Sequence, residues 1–121
     1  MMKSIPVWKQ ELSDGVHAAR LASLYCCAPA ETASEAARYA AVLDGLEKTF
    51  GSHAEAGLYS APGRTEIGGN HTDHQHGRVL AGSVNIDMIA AAAPNDKNQL
   101  RVQSEGYDLC IIDLNDLEAR K

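Results

Sequence analysis

Aromatic residues are scarce in this chain. One Trp, four Tyr and one Phe among 121 residues leave a core that must be built mainly from Leu, Ile, Val and Ala. Basic clusters are missing too, since no run of Lys and Arg exceeds two residues and the net charge is −5. That balance argues against an electrostatic grip on nucleic acid, which needs Lys and Arg to neutralise phosphates. The longest apolar run, "MIAAAA" at 88–93, is far below the roughly 20 residues a membrane-spanning helix needs. The start, "MMKSIPVWKQEL", lacks the apolar core of a signal peptide. Cysteine is limited to Cys26, Cys27 and Cys110, with no C-x-x-C spacing. An odd count without a framework excludes a disulfide scaffold and predicts a reducing, cytoplasmic setting. Each thiol is expected to serve as a small buried hydrophobe. What remains is a 45% hydrophobic composition that suits one folded domain or a piece of one.

Two textures divide the chain. Residues 1–54 read as helical. Ser4 is a candidate N-cap with Pro6 in the first turn, and Asp14-Gly15 interrupts. A second stretch from Val16 carries Leu21 and Leu24 and breaks at Pro29. Thr32 and Glu35 are spaced as a capping box for a third helix, whose stripe is Tyr39, Leu43, Leu46 and Phe50, with Gly51 as its stop. Residues 55–121 turn to short extended runs: "GLYSAPGRTEIGG", "RVLAGSVNIDMIAAAAP", "QLRVQSEG" and "DLCIIDL". In "QLRVQSEG", Leu100 and Val102 alternate with Arg101 and Gln103. Helices followed by strands predict an α+β fold with a mixed or antiparallel sheet. The second run is too apolar for a strand wet on one face. The helices are expected to cover one face of the sheet, and nothing obvious in the chain covers the other.

Chemistry concentrates in "GRTEIGGNHTDHQHG", residues 63–77. His71, Asp73, His74 and His76 offer metal-ligand atoms, but no second cluster lies elsewhere to close a tetrahedral site. The glycines suggest a phosphate cradle, yet no Lys follows and Arg64 is the nearby cation. Short polar side chains with glycines that let a backbone approach also suit a hydroxyl-rich ligand such as a sugar. Equally, Asn70 and Asp73 fit turn-capping roles, with solvated histidines beside them.

The ordered run "APGRTEIGGNHTDHQHGRVLAGSV", residues 61–84, resembles the signature of galactokinases. These belong with homoserine, mevalonate and phosphomevalonate kinases in one small-molecule kinase superfamily. The family pattern reads P-G-R-x-N-L-I-G-E-H-T-D-Y-x-x-G-x-V-L-P. Pro62, Gly63, Arg64, Gly69, His71, Thr72, Asp73, Gly77, Val79 and Leu80 match it. Glu66, Asn70, His74 and Ala81 depart from it, standing where the family has Asn, Glu, Tyr and Pro.

The resemblance implies the first part of the N-terminal domain of a kinase that phosphorylates the anomeric hydroxyl of galactose or a related sugar. On that footing Asn70, His71 and Asp73 would contact the sugar, and Arg64 would be the catalytic arginine facing the transferred phosphoryl. ATP and Mg would be the cofactors. The superfamily's loop P-x-G-x-G-L-S-S-S-A is not found here, so the nucleotide site and the base Asp are expected after Lys121. Residues 1–121 alone are expected to be inactive and to associate with themselves. Asn70 and His74 keep a second reading open, a sugar sensor without catalysis.

Overall fold

The computed structural model of the chain describes residues 1–53, 55–69 and 72–116, with the backbone alone at Asp73. Helices come first and strands follow. Helix α1, Ile5–Ser13, begins after an extended Ser4 with Pro6 in its first turn. It buries Ile5, Trp8 and Leu12, spaced three and four apart on one face. Asp14 ends it and Gly15 turns the chain with φ +71. Helix α2, Ala18–Tyr25, buries Leu21, Ala22 and Tyr25, while Leu24 points to solvent. Cys26 closes α2 in the left-handed region, at φ 53.

A single 3₁₀ turn, Pro29–Glu31, precedes helix α3, Ala33–Phe50. This turn displaces the capping box expected at Thr32 and Glu35. Thr32 is held in helical conformation rather than the extended one an N-cap needs, and its buried hydroxyl donates back to the Pro29 carbonyl at 2.9 Å. Glu35 pairs with Arg38 instead. One turn earlier, Glu31 accepts from the Ala28 N–H at 2.9 Å. The stripe of α3 is buried as its spacing predicts, with Leu43 fully enclosed, Tyr39 and Leu46 nearly so, and Phe50 at the edge. Gly51 stops it at φ +83, ψ −177, a region open essentially to glycine alone.

Strands β1, Gly57–Gly68, and β2, Leu80–Ala92, form a long antiparallel hairpin. Strands β3, Gln99–Val102, and β4, Cys110–Asp113, form a second, shorter one. Every described pairing is antiparallel, and the two hairpins are separate sheets. Helix α3 packs on β2, and Leu58, Ile89, Ala91 and Ala93 complete the core of Ile5, Trp8, Leu43 and their neighbours. Ala56 anchors the junction. It bridges Lys3, and its carbonyl accepts the Trp8 indole N–H at 2.8 Å.

The helices therefore cover one face of the long hairpin, and the opposite face carries Tyr59, Ile86 and Met88 in the open. The expectation that β2 is too apolar to be wet on one face is corrected here: Ile86 and Met88 are 76% and 78% exposed. In β3 the sides are the reverse of a buried-apolar pattern. Leu100 and Val102 face out, while Arg101 lies over the Phe50 ring at 5.1 Å. The cysteine expectation is corrected as well. Cys26 sits at an outward helix end and Cys110 on an uncovered strand, so both are exposed, and Cys27 alone is half-buried against the core. No described helix is long and apolar enough to cross a membrane.

Candidate functional site

The long hairpin delivers the motif. Along β1, Arg64 and Glu66 are two residues apart and share a side of the strand. An irregular ladder surrounds them. Pro62 faces Asp87 and Arg64 faces Ser83, so Gly63 alone opposes Val84, Asn85 and Ile86. The bulged backbone folds in close, and a Cβ on Gly63 would stand 3.1 Å from both the Ile86 carbonyl and Val84 Cγ2. A second shift between Glu66 and Gly68 leaves Ile67 as an extra residue on β1. The Arg64 guanidinium donates to Glu66 Oε1 at 2.9 Å. Its side chain is 66% exposed, whereas that of Glu66 is only 13% exposed.

Beyond β1 the loop is tied by Thr72. Its N–H and its hydroxyl both donate to the Gly69 carbonyl. Its own carbonyl accepts from Gln75 N–H at 3.0 Å and Gly77 N–H at 2.7 Å. Both glycines are obligatory for this knot. Gly69 has φ +88, and a Cβ there would lie 2.1 Å from the Arg78 carbonyl oxygen. A Cβ on Gly77 would lie 2.4 Å from the Thr72 side chain. Inside the knot runs a 3₁₀ turn, Asp73–Gln75, followed by His76 at φ 62.

Of the sequence-predicted site residues, Arg64 is placed on β1 with its guanidinium accessible. Asp73 opens the 3₁₀ turn by its backbone. Asn70 and His71 lie outside the described residues, between Gly69 and Thr72. Among the described residues no three His, Cys, Asp or Glu side chains are gathered for a metal, and His71 falls outside that search. Two clefts of about 210 and 310 Å³ lie among the helices, lined by residues such as Leu12, Ala33 and Ala36. Neither is lined by a residue of the 63–77 segment.

Sequence reasoning missed a polar network under the hairpin. Asp87, its side chain 3% exposed, sits on the helix-facing side of β2. It accepts from Tyr25 Oη and Ser60 Oγ at 2.6 Å each and from Arg38 Nη2 at 3.0 Å. The Tyr39 hydroxyl lies 3.1 Å from that of Tyr25, whose proton is committed to Asp87, so Tyr39 is the donor between them. Burial works to raise the Asp87 carboxyl, but the bonds from Ser60, Tyr25 and Arg38 outweigh it and leave it below the ordinary carboxylate value. Burial first, then Asp87, pushes the Tyr25 phenol well above its ordinary value. The available signal was a lone acid inside the apolar run "VNIDMIAAAA".

The comparisons bear on this hairpin directly. Residues 46–94, from the last turn of α3 to the end of β2, match the galactokinase galactose-binding signature. This region is galactokinase-like. The chain is 37% identical over 81 residues to a galactokinase of Ligilactobacillus salivarius (strain UCC118), covering 64% of this chain and 21% of that protein. It is 34% identical over 74 residues to a galactokinase of Lacticaseibacillus casei (strain BL23), covering 60% and 19%. A Streptococcus mutans galactokinase is 36% identical over 67 residues, covering 54% and 17%. The matched stretch thus spans about a fifth of the length of these curated relatives. No solved structure gives a significant match. The galactokinase-like region therefore includes the end of α3, the Thr72 knot and the whole β1–β2 hairpin.

Proposed function

We propose that this chain is the sugar-binding front part of a cytoplasmic, ATP-dependent sugar kinase acting on the anomeric hydroxyl of galactose or a close relative. The galactose-binding signature over residues 46–94 carries this reading. Asn70, His71 and Asp73 supply acceptors and donors for adjacent sugar hydroxyls. Arg64, open on its strand, faces the phosphoryl and offsets charge that develops during transfer. The 121 residues contain no Gly/Ser-rich stretch patterned to cradle a triphosphate, so ATP and Mg are held by sequence outside them.

Two assays test the reading. The polypeptide that carries this region should phosphorylate galactose with ATP, and Arg64→Gln should lower kcat by about 10²–10³. Residues 1–121 alone should show no turnover. Turnover by the isolated stretch, or full activity in the Arg64→Gln protein, refutes the assignment.

A second reading, a galactose sensor without catalysis, is favoured by the Arg64–Glu66 pair, which occupies the phosphoryl-facing cation. Galactose binding without turnover in the same polypeptide would select it.

A further inference from the structure

We propose that Glu66 is an internal competitor for Arg64, setting how strongly this site takes a phosphoryl anion. The inference rests on the placement of Arg64 toward the phosphoryl proposed above. The two side chains meet at 2.9 Å with unequal freedom, Glu66 being 13% exposed and Arg64 66% exposed. Glu66 is the held partner, facing Ala81 across the ladder just before the strand's second irregularity. Arg64 is the partner that can leave.

An approaching phosphate therefore meets a guanidinium whose charge is already offset by a fixed carboxylate. Binding requires the Arg64 fork to swing off Glu66 and onto the anion. A solvent-screened pair of this kind is weak enough to exchange. A bidentate guanidinium–phosphate contact is stronger than a single nitrogen–oxygen bond to Glu66. The carboxylate then stays behind as a fixed negative group beside the phosphoryl. It weakens anion retention and favours release.

Calorimetric titration with inorganic phosphate tests this in the polypeptide that carries the region. Glu66→Gln, which keeps the shape and removes the charge, should bind phosphate about fivefold tighter than the parent. Arg64→Gln should weaken binding, and the Arg64→Gln/Glu66→Gln double variant should show none of the gain. The galactose KM should be unchanged in Glu66→Gln, because the effect is confined to the phosphoryl side. Unchanged or weaker phosphate binding in Glu66→Gln, in a protein where Arg64→Gln does weaken it, overturns the inference while leaving the kinase reading intact. If Arg64→Gln alters phosphate binding in neither background, the placement of Arg64 falls and the inference falls with it.

Discussion

Asp87 of β2 accepts the Tyr25 hydroxyl of α2 at 2.6 Å, and this contact ties the helical layer to the hairpin that carries the galactokinase-like motif. Asp87→Ala would remove the acceptor shared by the Tyr25 and Ser60 hydroxyls in a covered site, leaving Tyr25 only the Tyr39 hydroxyl to donate to, at a cost of about 1–3 kcal/mol. We expect a thermal midpoint lower by ~4 °C or more, read by circular dichroism.

The same residue gives a pH signature. Its folded carboxyl lies below the ordinary value, so the unfolded chain binds the proton first as pH falls. The contribution is complete above about pH 4, the ordinary Asp range, and is lost as pH drops through the folded value. In Asp87→Asn that acid-limb loss should vanish. Parallel stability–pH curves for parent and Asp87→Asn below pH 4 would show that Asp87 is not the group responsible.

Thr72 and Gly77 form the other decisive pair, with the Gly77 N–H donating to the Thr72 carbonyl at 2.7 Å. Gly77→Ala puts a methyl group into the Thr72 side chain and should cost about 1–3 kcal/mol locally. Thr72→Val keeps the shape, removes one hydrogen bond and should cost about 1 kcal/mol. Hydrogen exchange at the Gln75 and Gly77 amides should accelerate in both variants, more in Gly77→Ala, and return to the parent rate in Thr72→Ser.

Much of this architecture was legible because local rules and tertiary packing agree. The Tyr39–Leu43–Leu46 stripe is buried, Gly51 ends the helix, and the change from helix to strand after His53 is observed. Ordered identities around Pro62-Gly63-Arg64 located the motif, and the structure supplies reasons for its glycines in the Ile86 approach to Gly63 and the Thr72 knot. Long-range polar partners were not legible. Nothing local to Asp87 announces that Tyr25, 62 residues earlier, donates to it. The capping box failed for a related reason, since spacing alone cannot show that a preceding 3₁₀ turn has already fixed the Thr32 backbone.

Trp8 offers a test of the junction at Ala56. Its indole N–H donates to the Ala56 carbonyl at 2.8 Å inside the core. Trp8→Phe keeps most of the apolar volume and removes one of that carbonyl's two donors, leaving the Lys3 N–H at 3.1 Å. A loss of about 1 kcal/mol in denaturant unfolding, with an unchanged slope, is the expected result. A variant as stable as the parent would show that the bond adds little beyond packing.

The uncovered face of the long hairpin yields the last expectation. Tyr59, Ile86 and Met88 are 56%, 76% and 78% exposed, and Tyr59 and Met88 belong to rungs two apart on the ladder, Tyr59↔Ala90 and Ala61↔Met88, and so share one face. Large apolar side chains grouped on one sheet face are poorly tolerated in water and mark contact surfaces. Residues 1–121 should therefore associate with themselves, with a sedimentation coefficient that rises with concentration. Met88→Lys and Ile86→Lys place a charge on that face without touching the core of Ile5, Trp8 and Leu43, so they should return the chain to monomer while preserving its circular dichroism. Because the contact is apolar and every copy carries a net charge of −5, added salt should screen the repulsion and strengthen the association. A parent chain that sediments as a monomer across the whole concentration range would remove self-association from this face.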